Sequence, residues 1–202
     1  MRLKHILVLS LTVLLATNLT YGKDLKIGKS APGFSLTDIN GKVHALKDYR
    51  GKYVVLEWVN YDCPFVKKHY NSGNMQSLQK TYTGKDVVWL SINSSAPGKQ
   101  GNFTSAEVQK RAQAHGASFS AYLVDEDGKV GNRYDAKTTP HIFIIDPAGD
   151  LIYKGAIDNI RSTNIEDIAK AENYVSAALD AVMAGKRIEV SNTQSYGCSV
   201  KY

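Results

Sequence analysis

Residues 53–67 read YVVLEWVNYDCPFVK. The first seven of these residues form a continuous β-prone run, which is typical of a strand that is buried on both faces of a parallel sheet. Cys63 follows this run after a short turn, and Pro64, which lacks an N–H group and favours the first position of a helix, comes next. The segment therefore predicts a buried strand and a helix that begins directly after Cys63.

The chain upstream of this segment predicts a hairpin. Two short β-prone runs, residues 34–37 and 42–46, flank the pair Asn40-Gly41. An Asn-Gly pair between two such runs is a strong signal for a tight turn between antiparallel strands. We therefore expect an N-terminal β-hairpin ahead of the buried strand.

Downstream of this segment, helices and strands alternate. The predicted helices cover residues 65–82 (in two pieces around 71–73), 104–115, 128–134 and 165–184, and the predicted strands cover residues 87–92, 122–124, 141–145 and 151–154. Strands separated by helices pair in parallel, whereas the last two strands, joined by a short turn, pair antiparallel. The predicted architecture is an α/β fold with a mixed central sheet, helices on both faces and an N-terminal β-hairpin.

The composition indicates one globular domain. The 202 residues are 43% hydrophobic and 22% charged, which argues against disorder, collagen and coiled coil. Two cysteines are too few for a disulfide-dense mini-domain or a cysteine-rich zinc site. The net charge of +6 is mild, so we expect no nucleic-acid partner.

The first 22 residues have the pattern of a secretory signal peptide. A positively charged start precedes an apolar run at residues 6–16, which is well short of the roughly 20 residues that span a bilayer. Small or neutral residues at the end of the segment offer a cleavage site near Gly22. We predict an exported protein, periplasmic or secreted, whose mature domain is residues 23–202 with a tail at 186–202 and no stable membrane anchor. A retained anchor is the alternative.

Cys63 lies where a cysteine is activated. At the N-cap of the predicted helix, free backbone N–H groups and the helix dipole favour a thiolate. Lys67 and Lys68 add positive charge about one turn into the helix. The alternative is an inert cysteine or a structural disulfide with Cys198, since an oxidising compartment allows two cysteines to form a bridge.

Two further features bear on this cysteine. Glu57 lies six residues before it within the apolar strand, so its carboxyl is either at an exposed strand end or partly buried with a raised pKa, and a buried carboxyl could exchange protons with the thiol. The tail is long enough to fold back, because residues 186–197 extend up to about 40 Å. We predict that Cys198 comes within disulfide reach of Cys63, which requires Cα atoms closer than about 7 Å.

Three segments resemble those of the redoxins, the alkyl hydroperoxide reductase/thiol-specific antioxidant family. Residues 28–52 are similar to the family's leader hairpin, residues 53–67 to the active-site strand and helix start of the thioredoxin fold, and residues 139–155 to its cis-proline strand, turn and last strand. The closest resemblance is to a peroxiredoxin-like branch with one active-site cysteine and a Gly-Cys-Ser-hydrophobic-Lys-aromatic tail, which residues 197–202 match. The resemblance implies a thioredoxin-like fold.

The resemblance also implies roles for single residues. Cys63 matches the attacking cysteine, Glu57 matches the buried acid upstream of it, and Cys198 is the candidate resolving partner. Pro140 matches the cis-proline that lies beside the cysteine and presents backbone to a bound thiol or peptide. The same substrate groove would be lined by Thr139, His141 and Pro64.

The sequence departs from the motifs of three relatives of this fold. Thioredoxins carry a second cysteine three residues after the first, where this chain has Val66, so dithiol exchange within that motif is impossible. Peroxiredoxins carry Pro-x-x-x-Thr-x-x-Cys, where this chain has Leu56 and Asn60. A copper chaperone of this fold has a cysteine four residues after the first, where this chain has Lys67. We therefore expect no metal site, and no cofactor is indicated.

Three functions remain open at this point. The first is a thiol–disulfide oxidoreductase that uses Cys63, with a disulfide substrate and an external thiol reductant. The second is a thiol peroxidase with a modified pocket and an antioxidant role, whose substrate is a hydroperoxide. The third is a non-enzymatic thioredoxin-like binding module in which a bridge between Cys63 and Cys198 is only structural.

Overall fold

The computed structural model describes residues 25–202, so the predicted signal peptide, residues 1–22, lies outside the described residues. The described elements are β1 (Ser35–Asp38), β2 (Val43–Ala45), a 3-10 helix (Leu46–Tyr49), β3 (Val54–Trp58), α1 (Pro64–Asn71), α2 (Asn74–Thr83), β4 (Val88–Asn93), α3 (Ser105–Ala114), β5 (Ala121–Val124), α4 (Lys129–Arg133), β6 (Thr138–Thr139), β7 (His141–Ile145), β8 (Leu151–Gly155), a second 3-10 helix (Ile165–Lys170), α5 (Tyr174–Met183) and β9 (Cys198–Ser199). None of these helices is long and apolar enough to cross a membrane.

Seven of these strands form one mixed sheet in the order β2-β1-β5-β4-β3-β7-β8. The central strands β3, β4 and β5 are parallel, as expected for strands separated by helices. The outer pairs are antiparallel: β1 and β2 form the predicted hairpin, and β7 and β8 form the predicted closing pair. The predicted mixed sheet is confirmed, and β6 and β9 form a separate two-stranded ladder that was not predicted.

The sheet separates two buried clusters. On one face, Val55 of β3 and Trp89 of β4 belong to a cluster with residues of α1, α2, α3 and α5. On the other face, Leu56 of β3 packs in a cluster with Val130 of α4 and Phe34 of the leader. Because successive strand residues point to opposite faces, the buried apolar residues of β3 contribute to both clusters. The prediction of helices on both faces is confirmed, and Cys63 belongs to the first cluster.

The long helix predicted over residues 165–184 is wrong. The chain forms an exposed 3-10 helix at Ile165–Lys170, breaks at residues 171–173, and resumes as α5. The break occurs because the backbone of residues 172–174 pairs with residues 157–159 after β8: Asn159 N donates to Glu172 O at 3.2 Å, and Tyr174 N donates to Ile157 O at 2.9 Å. Backbone groups used in this way are not free to continue a helix.

Asn173 caps the N-terminus of α5 after this break, so its side chain should contribute to stability. Its side-chain oxygen accepts hydrogen bonds from Val175 N at 3.1 Å and Ser176 N at 3.0 Å. Asn173→Ala should therefore lower the free energy of unfolding by about 1 kcal/mol, measured by urea denaturation. Asn164→Ala is the matched control, because Asn164 caps the 3-10 helix, which has no buried residue. Equal losses in the two variants would contradict the assignment.

Candidate thiol site

Cys63 occupies the N-cap of α1, as the sequence predicts. Its backbone is extended (φ −71°, ψ 125°), Pro64 takes the first helical position, and the carbonyl of Cys63 accepts a hydrogen bond from Lys67 N at 2.9 Å. The side chain is fully buried, whereas Pro64 beside it is exposed. The helix start is therefore at the surface, while the sulfur itself is covered.

The Thr139-Pro140 segment lies directly against this sulfur. The Cys63 thiol donates a hydrogen bond to Thr139 O at 2.9 Å, and the peptide bond between Thr139 and Pro140 is cis. Thr139 is itself buried. The structure thus brings residues 76 positions apart in the chain into contact and places Pro140 next to the cysteine.

The cover over Cys63 comes from the C-terminal tail. β9 pairs antiparallel with β6 so that Cys198 lies opposite Thr139. Both cysteines are free thiols, and burial of the Cys198 thiol together with its interaction with the Cys63 sulfur raises its pKa to about 12. The structure therefore brings Cys63, Thr139 and Cys198 together, while their functional roles stay predictions.

Gly197 allows the tail to pack closely against Thr139. A Cβ atom at this position would lie 2.1 Å from Thr139 O, and its φ of +136° is unfavourable for residues with a side chain. Before this point the tail runs beside β8, where Thr193 N donates to Lys154 O at 3.0 Å, and after it Val200 N donates to Lys137 O at 3.1 Å. The glycine of the tail motif is thus a requirement of packing.

Glu57 is fully buried, so the alternative of an exposed strand end is excluded. Four neutral groups donate hydrogen bonds to its carboxylate oxygens: Tyr70 Oη at 2.8 Å, Gln79 Nε2 at 3.1 Å, Trp89 Nε1 at 2.8 Å and Ser91 Oγ at 3.0 Å. Burial raises the pKa of the Glu57 carboxyl, and these hydrogen bonds oppose the shift. Its described hydrogen bonds do not include one to Cys63.

The expected positive charge beside Cys63 is only partly present. Lys67 is exposed, but Lys68 is buried and turns away to a separate network. The Lys68 ammonium lies 3.4 Å from Asp158 Oδ2 and donates to Ile160 O at 2.9 Å. Sequence reasoning missed this network, because Asp158 is 90 residues away in the chain and no local pattern indicates the pair.

His141 faces the other side of the sheet from Cys63. In β7, Ile142 and Ile144 belong to the cluster of Cys63, whereas Phe143 belongs to the opposite cluster. The His141 ring packs on Phe143 with ring centres 4.4 Å apart, and burial lowers the pKa of His141 to about 3. Its side chain lines a cavity of about 370 Å³ beneath the tail. The expectation that it lines the same groove as the cysteine is therefore not met.

Comparison with known proteins shows which family the chain is similar to. Residues 27–154 match the AhpC/TSA family. Over 125 residues the chain is 31% identical to the thiol-disulfide oxidoreductase ResA of Geobacillus kaustophilus, which covers 62% of this chain and 66% of that protein. The ResA of Bacillus subtilis is 29% identical over 125 residues, covering 62% and 64%. The chain thus spans slightly less than two thirds of the length of these curated relatives.

Solved structures agree on the fold. An uncharacterized conserved protein from Geobacillus kaustophilus superposes with a TM-score of 0.75 at 31% identity, covering 89% of this chain and 93% of that one. A hypothetical protein from Sinorhizobium meliloti gives 0.73 at 26% identity, covering 89% and 96%. The thioredoxin domain of a thiol-disulfide oxidoreductase from Bacteroides vulgatus gives 0.52 at 19% identity, covering 73% and 97%. The fold is therefore thioredoxin-like.

The buried carboxyl of Glu57 should leave a signature in the pH dependence of stability. Because the pKa of the native carboxyl is raised above its ordinary value of 4.5, the native state keeps the proton where the unfolded chain has lost it. The contribution of this group to the free energy of unfolding is present below pH 4.5 and is lost as the pH rises through the native pKa. The Glu57→Gln variant has no titrating group at this position, so its free energy of unfolding should not show this decrease.

Urea denaturation between about pH 4 and pH 8 measures the difference. Wild type should lose stability relative to Glu57→Gln as the pH rises, and Glu166→Gln, a change of an exposed acid, should follow wild type. Parallel curves for wild type and Glu57→Gln would show that the native carboxyl is not shifted upward.

Proposed function

Because the chain belongs to the AhpC/TSA family, we propose that it is a thiol–disulfide oxidoreductase in which Cys63 is the nucleophile and Cys198 resolves the mixed disulfide. The observation that carries this proposal is the contact of the two free thiols at the start of α1, beside the Thr139-Pro140 segment. The names of the relatives support the same reaction class.

The proposed reaction is two successive thiol–disulfide exchanges. The Cys63 thiolate attacks one sulfur of a substrate disulfide, forms a mixed disulfide and releases the first substrate thiolate. The Cys198 thiol then loses its proton and attacks the Cys63 sulfur, which forms the Cys63–Cys198 bridge and releases the second substrate thiolate. The substrate gains two electrons and the protein loses two. An external thiol reductant returns the bridge to two thiols.

The pair replaces the two-cysteine motif that Val66 interrupts. In that motif both thiols lie on one helix, whereas here the second thiol arrives on β9 and is held opposite Thr139. Because Cys63 is fully buried, we propose that β9 moves away before a substrate reaches the sulfur. The substrate would then contact the backbone of Thr139 and Pro140 and the exposed ring of Pro64.

Glu57 has the properties of a proton-holding group in this scheme. It is buried on the sheet face that carries Cys63, and burial raises the pKa of its carboxyl. Since Glu57 and Cys63 share no described hydrogen bond, proton exchange between them would require an intermediate group such as water. The pH profile of Cys63 alkylation in Glu57→Gln tests this role, because a bystander carboxyl would leave the profile unchanged.

Substitution of the two cysteines should separate their roles. With excess glutathione disulfide, wild type should form the internal bridge and lose the mass of two hydrogens, whereas Cys198→Ser should accumulate one glutathione adduct at Cys63, because the second exchange is blocked. Cys63→Ser is the control and should react slowly, because burial of the Cys198 thiol, the largest cause of its raised pKa, does not depend on Cys63. Acid quenching and intact-mass analysis measure all three.

Three outcomes distinguish the candidate functions. An unmodified Cys63 in Cys198→Ser would overturn the nucleophile assignment. A wild-type bridge that mild thiol buffers do not reduce would indicate a structural disulfide in a binding module. Consumption of hydroperoxide at a rate well above that of disulfide would indicate a thiol peroxidase.

We also propose that the protein is exported, on the basis of the positive start and the apolar run before residue 22. The reaction requires a compartment in which disulfides are present, and an exported protein meets them. The mature chain recovered from an exporting host should begin near Lys23, as measured by intact mass. Retention of residues 1–22 on the exported chain would contradict cleavage.

A further inference from the structure

The tail that presents Cys198 is held by a buried chain of hydrogen bonds. Tyr196 lies two residues before Cys198 and is only 4% exposed. Its hydroxyl donates to the carboxylate of Asp158, which is 2% exposed and lies just after β8. A hydrogen bond to a buried carboxylate is among the stronger contacts in a protein. The tail is therefore fixed immediately before its cysteine.

In this series of hydrogen bonds, each group donates to the next one, from Asn74 through His69 and Tyr196 to Asp158. Asn74 Nδ2 donates to His69 Nδ1 at 2.8 Å, which leaves the hydrogen of the neutral imidazole on Nε2. His69 Nε2 lies 3.3 Å from the Tyr196 hydroxyl and donates to it, so the hydroxyl hydrogen is free to bind Asp158. Burial lowers the pKa of His69 to about 4, which keeps the ring neutral at physiological pH.

The charge in this network is balanced without Tyr196. Lys68 and Asp158 form a buried ion pair at 3.4 Å, and Ile160 N donates to Asp158 Oδ1 at 3.0 Å. Lys68, on α1, and Asp158, after β8, both lie outside the tail. The tail adds one hydrogen bond, from the Tyr196 hydroxyl, to this ion pair.

The same tyrosine contacts both ends of α1. Its hydroxyl lies against His69 in the last turn, and its ring packs against Phe65 in the first turn, with ring centres 5.8 Å apart. Phe65 is two residues from Cys63. The position of Tyr196 along α1 is thus fixed at two points, and the register of the following residues is fixed with it.

A second anchor holds the tail beyond Cys198. The Tyr202 hydroxyl donates to Ala136 O at 2.8 Å. Its ring covers Gly128 and Gly131, where an added Cβ would come within 2.6 Å and 2.5 Å of Tyr202 atoms. Cys198 lies between these two anchors, and only the Tyr196 anchor touches α1.

We propose that Tyr196 is a positioning residue that holds Cys198 in register opposite Thr139 and so sets the effective concentration of the Cys198 thiol at Cys63. This inference rests on the proposed function, since it assigns a role in formation of the Cys63–Cys198 bridge. In the test reaction, one glutathione disulfide and the two protein thiols give the protein bridge and two glutathione thiols. Tyr196 takes no part in the bonds that form or break.

The test is the equilibrium of this reaction in glutathione buffers of known ratio, with the bridged fraction measured by acid quenching and mass analysis. Tyr196→Phe removes the hydroxyl and should lower the effective concentration about 10-fold, the effect expected for loss of one hydrogen bond to a charged group. Tyr82→Phe is the matched control, since it removes a tyrosine hydroxyl that joins α2 to α5 by donating to Ser176 O at 3.3 Å. It should leave the equilibrium within about 2-fold of wild type.

Hydrogen exchange of the reduced protein provides a second readout that does not depend on redox chemistry. The amides of Val200 and Ala96, which pair with Lys137 O and Lys201 O, should exchange faster in Tyr196→Phe but not in Tyr82→Phe. If the role of Tyr196 were purely structural, Tyr196→Phe would lower the thermal stability, as Tyr82→Phe does, without changing the equilibrium of bridge formation.

The outcomes separate this inference from the proposed function. If wild type forms a bridge and Tyr196→Phe forms it with the same equilibrium constant, the positioning role is overturned while the function stands. If wild type forms no bridge at any glutathione ratio, the proposed function falls and the positioning role falls with it.

Discussion

The pairing of β9 with β6 is the contact on which the thiol site depends. The ladder joins only Thr138 to Ser199 and Thr139 to Cys198, and a two-stranded ladder of this length is not stable by itself. Its stability must come from what flanks it: the absence of a Cβ at Gly197, and the anchoring of the tail on either side. The geometry of the second thiol thus depends on the tail from Tyr196 to Tyr202 and not on the two-residue ladder alone.

The parts of the site that are encoded locally could be predicted from the sequence. The apolar run of β3, the turn and Pro64 place Cys63 at a helix N-cap because each of these signals acts over a few residues. The hairpin of β1 with β2 and the antiparallel pair of β7 with β8 could be predicted for the same reason, since each joins neighbouring strands through a short turn. The family resemblance added the cis peptide before Pro140, which residue patterns alone leave undecided.

Most of the predictions that failed concern features that depend on contacts between residues distant in the sequence. Lys68 was expected to add charge near Cys63, but its partner Asp158 is 90 residues away, and His69 meets Tyr196 across 127 residues. The predicted long helix broke because residues 172–174 pair with the chain after β8. None of these partners can be identified from spacing in the sequence. The orientation of His141 is the exception, because it follows from the local alternation of side chains along β7, which places it away from the cysteine.

A fully buried sulfur with a second thiol in contact also limits how far it can be oxidised. Oxidation of Cys63 by one step gives a sulfenic acid, which condenses with the Cys198 thiol to form a disulfide and water. That condensation is intramolecular and occurs as the tail docks again, whereas a second oxidation step requires another oxidant molecule to reach the sulfur, which has no exposed surface once the tail is docked. Irreversible sulfinic and sulfonic acids are therefore disfavoured at this position for as long as the tail stays docked. The tail that covers the sulfur thus also favours reversible over irreversible oxidation of Cys63.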